Sequence, residues 1–128
     1  MIVLDAGVLI AHFDATDVHH ERAGVLMRDA ADEALAASPI TLAEVLVGPA
    51  RAGRVDRGVA LLHELDVASV RLPEDAPEHL AVLMGGTGLK LPDCCVLLAA
   101  EQMQGAVATF DDRLANAAAE RGLAVRTS

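Results

Sequence analysis

The chain has 128 residues, of which 53% are hydrophobic, and a formal net charge of −9. This length predicts a single domain over residues 1–128. The apolar run Cys94–Ala100 is too short to cross a bilayer, and the opening Met1–Asp5 lacks the basic leader of a secretion signal. We therefore expect a cytoplasmic protein that is not inserted in a membrane.

The negative charge argues against broad, non-specific affinity for nucleic acid, because phosphate contacts need Lys and Arg. The objection weakens if several acids converge on bound divalent cations, since the ions offset part of their charge. Phe13 and Phe110 are the only residues among Phe, Trp and Tyr, so the sequence predicts no platform for stacking bases. Any nucleic acid is expected to be read by its backbone and shape.

Hydrophobic periodicity predicts alternating strands and helices along the whole chain. In chain order, the first half predicts strand Ile2–Asp5, helix Ala6–Phe13, helix Val18–Ala34, strand Leu35–Ser38, helix Thr41–Val47 and helix Arg54–Leu65. The second half predicts strand Val67–Leu72, helix Pro77–Met84, helix Asp93–Gln104, strand Ala106–Thr109, helix Asp112–Arg121 and strand Leu123–Arg126. Gly48-Pro49 and Gly85-Gly86 are expected to end their helices. The pattern predicts an α/β fold, a three-layer sandwich with a mostly parallel central sheet of about five short strands.

Four acids differ from the rest because each stands at a strand end or in a first helical turn. Asp5 ends the first strand, Glu44 lies in the first turn after the second, Asp93 begins a helix, and Asp111 follows the strand Ala106–Thr109 with Asp112 beside it. The carboxyl ends of parallel strands meet at one edge of a sheet and form the ligand crevice there. We therefore expect these acids, distant in sequence, to lie close together.

Each acid also has a local explanation. Glu44 could close a capping box with Thr41, Asp93 could complement a helix dipole, and Asp111 could be an N-cap. Asp5, directly after a buried strand, is expected to cap only weakly. Clustered carboxylates raise each other's pKa values, so a true cluster needs a cation.

The residue types predict the chemistry. Oxygen ligands with no His or Cys at matching spacing favour Mg²⁺ or Mn²⁺. Such ions lower the pKa of bound water and polarise a phosphodiester, so hydrolysis by a metal-activated water is expected. His19-His20, at a predicted helix start, is interpreted as a surface pair.

Over essentially its full length the chain resembles PIN-domain nucleases, and specifically the VapC-type toxins of bacterial toxin–antitoxin pairs. Four segments carry the likeness: VLDAGVLI at 3–10, SPITLAE at 38–44, LPDCCVLLAA at 91–100 and ATFDDRL at 108–114. The resemblance implies a PIN-like sandwich, catalytic acids Asp5, Glu44, Asp93 and Asp111, and metal ligation by Asp5, Asp93 and Asp111. It also implies Mg²⁺- or Mn²⁺-dependent cleavage of RNA, a homodimer, and inhibition by a cognate antitoxin.

The chain departs from the family pattern in two ways. Many members carry Ser, Thr or Asn after the first Asp, whereas Ala6 and Gly7 follow here, so Thr109 is the candidate for a supporting hydroxyl. Asp112 is the alternative to Asp111 as fourth acid. The family's Thr-x-Asp pattern favours Asp111.

Rival classes fit the residues less well. A receiver domain needs a nucleophilic Asp after its central strand, which Val67–Leu72 does not offer, and a haloacid-dehalogenase-type phosphatase needs Asp-x-Asp, which Asp5-Ala-Gly lacks. A catalytically weak or inactive PIN fold that binds RNA or a partner remains the alternative.

Partner contacts are predicted on the helices. Arg51, Arg54 and Arg57 are candidate contacts to RNA or a partner, or an ordinary solvated face. The helix Arg54–Leu65 carries an apolar stripe. By resemblance this helix and its neighbours form the groove that receives an antitoxin tail.

Overall fold

The sheet and its helices alternate along the chain, as the periodicity predicts. A computed structural model describes residues 1–127, and these contain five strands and seven helices. The strands are β1 Ile2–Leu4, β2 Leu35–Ala37, β3 Val67–Ser69, β4 Ala106–Ala108 and β5 Val125–Arg126. The helices are α1 Ala6–Phe13, α2 His20–Asp29, α3 Pro39–Arg51, α4 Val55–Glu64, α5 Ala76–Thr87, α6 Leu91–Met103 and α7 Asp112–Glu120.

The strands form one sheet in the order β3-β2-β1-β4-β5, and every pairing is parallel. Ile2 of β1 is in register with Leu35 on one side and Ala106 on the other. The chain therefore adds β2 and β3 to one side of β1, and then β4 and β5 to the other. The order reverses between β1 and β4, which is where ligands bind in open parallel sheets.

Two apolar cores, one on each face of the sheet, make the fold a three-layer sandwich. Ile2 and Leu4 of β1 pack with residues of α1 to α4, while Val3, which points to the opposite face, packs with residues of α5 to α7. The alternation follows from the two-residue period of a strand. The predicted fold class is confirmed.

The first two predicted strands are each one residue too long, because the polar residue at the end of each belongs to the following helix cap. Asp5 and Ser38 leave β1 and β2 to become the N-caps of α1 and α3. The predicted strand Val67–Leu72 is shorter as well, because β3 is an edge strand whose only neighbour, β2, has three residues to pair with.

Helix α3 differs most from its prediction. It begins at Pro39, with the Ser38 hydroxyl accepting from the Ile40 N–H at 3.2 Å, and it continues through Gly48-Pro49. Pro49 lies in the last turn, where its missing N–H removes a single helical hydrogen bond. A Cβ on Gly58 of α4 would stand 3.1 Å from Pro49 side-chain atoms, so the close contact between the two helices needs that glycine.

Two other helix boundaries were predicted wrongly. Helix α2 is shorter than predicted, because the Asp17 side chain and carbonyl bind the N–H groups of His19 and His20 and hold a turn before it. Helix α5 continues through Gly85-Gly86 and ends at Gly88, whose φ of 72° is the left-handed conformation that terminates a helix.

Helix α6 lies in the core, with every residue of Cys94–Ala100 buried. No single helix in residues 1–127 is long and apolar enough to cross a membrane. Helices α5 and α6 reach the required length only as a pair, and they meet at a bend of 114°.

Candidate active site

Asp5 lies at the reversal point of the sheet, between β1 and β4. Its backbone N–H donates to the Ala108 carbonyl at 2.9 Å, which extends the pairing of the two strands by one bond. One carboxylate oxygen accepts from the Ala6 N–H at 2.8 Å, and the other accepts from the Thr109 hydroxyl at 2.7 Å. Asp5 therefore does cap α1, and both of its oxygens are held in place.

Thr109 supplies the hydroxyl that the sequence lacks after Asp5. It is fully buried at the end of β4, and its Oγ1 also accepts the backbone N–H of Asp111 at 3.0 Å. This one side chain fixes the position of Asp5 and the backbone of Asp111. Its supporting role at the active site stays a prediction.

Asp111 is the N-cap of α7, as its local interpretation predicted. Its carboxylate accepts from the Leu114 N–H at 3.0 Å, and the residue is exposed. Asp112 is the first residue of α7 and is also exposed. Of these two, only Asp111 is a cause of the raised pKa values of neighbouring acids.

Glu44 and Asp93 come from two helices. Glu44 lies in the second turn of α3, because that helix begins two residues before Thr41, and the predicted capping box is wrong. Thr41 is fully buried inside the helix, and Ser38 is the cap. Asp93 lies in the first turn of α6, which begins at Leu91, so it also complements the helix dipole.

Three of the four acids, Asp5, Glu44 and Asp93, have raised pKa values. Burial raises the pKa of Asp5; hydrogen bonds from Thr109 and Ala6 oppose the rise, and the charge of Asp111 adds to it. Burial raises the pKa of Glu44, and the charges of Asp5 and Asp93 add to the rise.

The pKa of Asp93 is raised by burial and by neighbouring acids, and two cations lower it. Burial raises its pKa, the charges of Asp5 and Asp111 raise it further, and Arg113 and Lys90 oppose them. Asp5 thus acts on both of the acids supplied by helices. That the four carboxylates form one active site stays a prediction.

These shifts make the acids a cost to folding at neutral pH. Because their pKa values are higher in the folded chain than in the unfolded chain, the folded chain binds more protons in the window between the two values. Stability therefore falls as the pH rises from about 4, the ordinary carboxyl range, through the raised values. A bound cation would reverse this cost, because it favours the charged forms.

The carboxylates do not form a ready-made metal site. Within residues 1–127, no three side chains of His, Cys, Asp or Glu stand close enough together to hold a metal ion in their present positions. The donors are nevertheless hard oxygens that raise one another's pKa values, which is the chemistry that Mg²⁺ or Mn²⁺ matches. An ion would have to draw the carboxylates together to complete its ligand set.

Two neighbouring surface depressions are lined by different members of the acid set. We call the first the acid cleft; it measures about 350 Å³ and is lined by Asp5, Gly7, Ile10, Asp17, His19, Phe110 and Asp111. The second, the apolar groove, measures about 330 Å³ and is lined by Ile10, Phe13, Asp14, Glu44, Val45, Gly48, Pro49, Gly58 and Leu61. Ile10 borders both, so Glu44 lies in the groove next to the cleft. Asp93 lines neither.

The cleft also contains residues that the sequence interpretation missed. The His19 ring packs against Phe110 with 5.2 Å between centroids, and the Arg22 guanidinium carbon lies 4.4 Å from the centre of the Phe110 ring. The sequence analysis expected no platform for stacking bases and did not anticipate this cluster. Counting phenylalanines could not reveal it, because His19 and Phe110 are brought together only by the fold.

The arginines predicted as contacts lie at the turn between α3 and α4. Arg51 ends α3, Arg54 precedes α4 and Arg57 lies in its first turn, and all three are exposed. None of the ion pairs found among residues 1–127 uses them. They are available to a ligand or partner, and their role stays a prediction.

The fold and the site define an α/β protein with an acidic crevice where the strand order reverses. Residues 2–120 match the PIN domain family, and the chain belongs to it. PIN domains are nucleases that generally use a divalent metal. A comparison with curated protein sequences found no match.

Several solved structures share the fold. A toxin–antitoxin complex from Klebsiella pneumoniae is 23% identical, with 87% of each chain covered and a TM-score of 0.68. FitAcB from Neisseria gonorrhoeae is 22% identical, with 99% of this chain and 97% of that chain covered and a TM-score of 0.72. VapBC2 from Rickettsia felis, bound to a DNA fragment from its promoter, is 15% identical, with 98% of each covered and a TM-score of 0.64.

Proposed function

We propose that this chain is a Mg²⁺- or Mn²⁺-dependent endoribonuclease and the toxin of a toxin–antitoxin pair. Its catalytic acids are Asp5, Glu44, Asp93 and Asp111. The observation that carries the proposal is that Thr109 holds Asp5 where the strand order of a PIN fold reverses, and that neighbouring acids, including Asp111, raise the pKa values of Asp5, Glu44 and Asp93. Acting on RNA, the enzyme would work in the cytoplasm.

Metal ligation and proton acceptance are assigned to different acids. Asp5, Asp93 and Asp111 would hold the metal, and Thr109 positions Asp5 for that task. When bound, the ion supplies Lewis-acid polarisation of the phosphodiester and lowers the pKa of a water molecule. Glu44 is the candidate proton acceptor, because its raised pKa brings its basicity closer to the working pH.

The alternative is a PIN fold that binds RNA or a partner with weak or no catalysis. The lack of a ready-made set of ligands within residues 1–127 is compatible with it, whereas the raised pKa values of Asp5, Glu44 and Asp93 favour catalysis. Incubation of purified protein with labelled RNA in Mg²⁺, Mn²⁺ or EDTA separates the two. Metal-dependent cleavage that EDTA abolishes supports the enzyme, and no cleavage with either metal at millimolar concentration overturns it.

Metal binding and the loss of one acid should each raise stability, and the two effects should not add. Folding raises the pKa of the Asp93 carboxyl, so its charged form destabilises the folded chain at neutral pH. Without metal, Asp93→Asn removes this charge, and we expect a melting temperature above that of the wild type. Millimolar Mg²⁺ or Mn²⁺ should raise the melting temperature of the wild type and raise that of the variant much less. Scanning calorimetry measures both, and the exposed Asp32→Asn is the control. Equal metal shifts in wild type and Asp93→Asn would remove Asp93 from the ligand set.

The partner proposal rests on the apolar groove between α1, α3 and α4. Val45, Pro49 and Leu61 give it an apolar lining, and Glu44 and Asp14 are its acidic lining residues. Val47, Val55 and Val59, on the same two helices α3 and α4, are large apolar side chains left exposed. We infer that an antitoxin segment fills this groove with apolar side chains and directs an Arg or Lys towards the acids. We also infer a homodimer.

Binding of the partner should depend on the groove. Leu61→Asp puts a charge into the apolar lining, and we expect it to weaken the complex with the small protein encoded beside this chain's gene by about tenfold or more. Val82→Asp, on the exposed face of α5, is the matched control. Co-expression followed by light scattering reports the complex and the oligomeric state. Unchanged binding by Leu61→Asp, or only monomers of the free chain at micromolar concentration, would contradict the groove and the dimer respectively.

A further inference from the structure

Phe110 forms a small aromatic and cationic cluster beside the acids. The Arg22 guanidinium carbon stands 4.4 Å from the ring centroid, and the His19 ring lies 5.2 Å away at a tilt of 42°. Arg22 also donates to the Thr127 carbonyl at 2.7 Å, which anchors its head group next to the ring. We call His19, Arg22 and Phe110 the stacking cluster.

The cluster belongs to the same cleft as the acids. His19 and Phe110 line it together with Asp5 and Asp111, and Phe110 directly precedes Asp111 in the chain. A polymer whose phosphate lay against the carboxylates would therefore bring its adjoining group against these two rings. Arg22 puts a positive charge beside a cleft that is otherwise acidic, where a phosphate polymer needs one.

The stacking cluster has features that a purely structural contact would not need. Phe110 and His19 are half-buried and Arg22 is exposed, so the cluster keeps surface towards the solvent. His19 precedes α2 without a side-chain capping bond, so capping does not explain its orientation. Two half-buried rings and a cation thus lie together at the surface, which is the combination of groups that binds unpaired nucleobases.

We propose that the stacking cluster is a base-binding subsite: an unpaired base next to the scissile phosphate of RNA stacks on Phe110 and His19, while Arg22 contacts a neighbouring phosphate. This rests on the proposed ribonuclease function. It replaces the expectation that nucleic acid is read only by backbone and shape.

The test uses a single-stranded oligoribonucleotide that the wild type cleaves, with 2-aminopurine beside the cleavage position. Dissociation constants are measured in EDTA by anisotropy, stacking by quenching of 2-aminopurine, and cleavage in Mg²⁺ or Mn²⁺. Phe110→Leu should weaken binding or raise KM by about tenfold, the scale of losing one base stack, and should reduce the quenching. Phe110→Tyr, which keeps the stacking face, should restore both.

His79→Ala is the matched control for His19→Ala. His79 is exposed on α5, pairs with Asp75 at 3.0 Å, and lines neither the acid cleft nor the apolar groove. It should bind and quench like the wild type. If Phe110→Leu fails to fold, as judged by its melting curve, His19→Ala carries the test with the same expected direction.

The outcomes distinguish a failure of the base-binding subsite from a failure of the proposed ribonuclease function. A wild type that cleaves RNA, with Phe110→Leu and His19→Ala that bind and quench equally well, overturns the subsite and leaves the ribonuclease standing. Variants that lose only the partner protein overturn it too, because the cluster would then be a protein contact. A wild type that neither binds nor cleaves RNA overturns both proposals.

Discussion

Asp5→Asn and Asp93→Asn are each expected to lower the rate of RNA cleavage by about a hundredfold or more, the scale of losing one electrostatic stabiliser at a reacting centre. Both changes keep the size of the side chain and remove its charge. Asp5→Asn can still accept the Ala6 N–H, so α1 keeps its cap. The loss should therefore appear in activity without unfolding.

Single-turnover cleavage rates at saturating metal measure this effect, and melting curves confirm that each variant is folded. Asp32→Asn, an exposed acid in the turn between α2 and β2, is the control and should cleave at the wild-type rate. An acid whose Asn variant keeps near-full activity would have a structural role only, as a helix cap for Asp5 or as a partner of the helix dipole for Asp93.

The second large effect distinguishes two neighbouring acids. Asp111→Asn should lower the cleavage rate by about a hundredfold, because Asp111 is the acid of this pair that acts on Asp5 and Asp93. Asp112→Asn should change the rate by less than about twofold, as expected for an exposed charge away from a reacting group. Asn caps a helix as well as Asp does, so the bond to the Leu114 N–H survives in Asp111→Asn.

The comparison uses the same RNA and metal concentrations for both variants, with their melting temperatures as the control for folding. A larger loss in Asp112→Asn would assign the fourth position to that residue. Equal and small losses in both would remove this end of β4 from the active site and restrict Asp111 to capping α7.

Much of this protein could be predicted from local sequence patterns. The strand and helix order follows from periodicities of two and 3.6 residues, which are properties of neighbouring residues. Asp5 and Asp111 were recognisable because each comes shortly after a short apolar strand, and in a parallel sheet such positions share one edge. Thr109 was recognisable through the family's Thr-x-Asp pattern, as a hydroxyl that could replace the one missing after Asp5.

The tertiary structure decided what depends on distant residues. The strand order puts β1 next to β4, and this lets Thr109 donate to Asp5. Helix α3 continues through Gly48-Pro49, and Pro49 lies close to Gly58 of α4, a contact that no local pattern contains.

The shape of the site also depends on residues that are distant in sequence. Asp5 and Asp111 share the acid cleft with His19, whereas Glu44 lies across Ile10 in the apolar groove. Sequence spacing shows that acids follow strands, but the side chains that share a cleft depend on helix packing and on the loops that bring α2 to the end of β4. Those contacts join residues far apart in the chain, and they exist only once the sheet and both cores have formed.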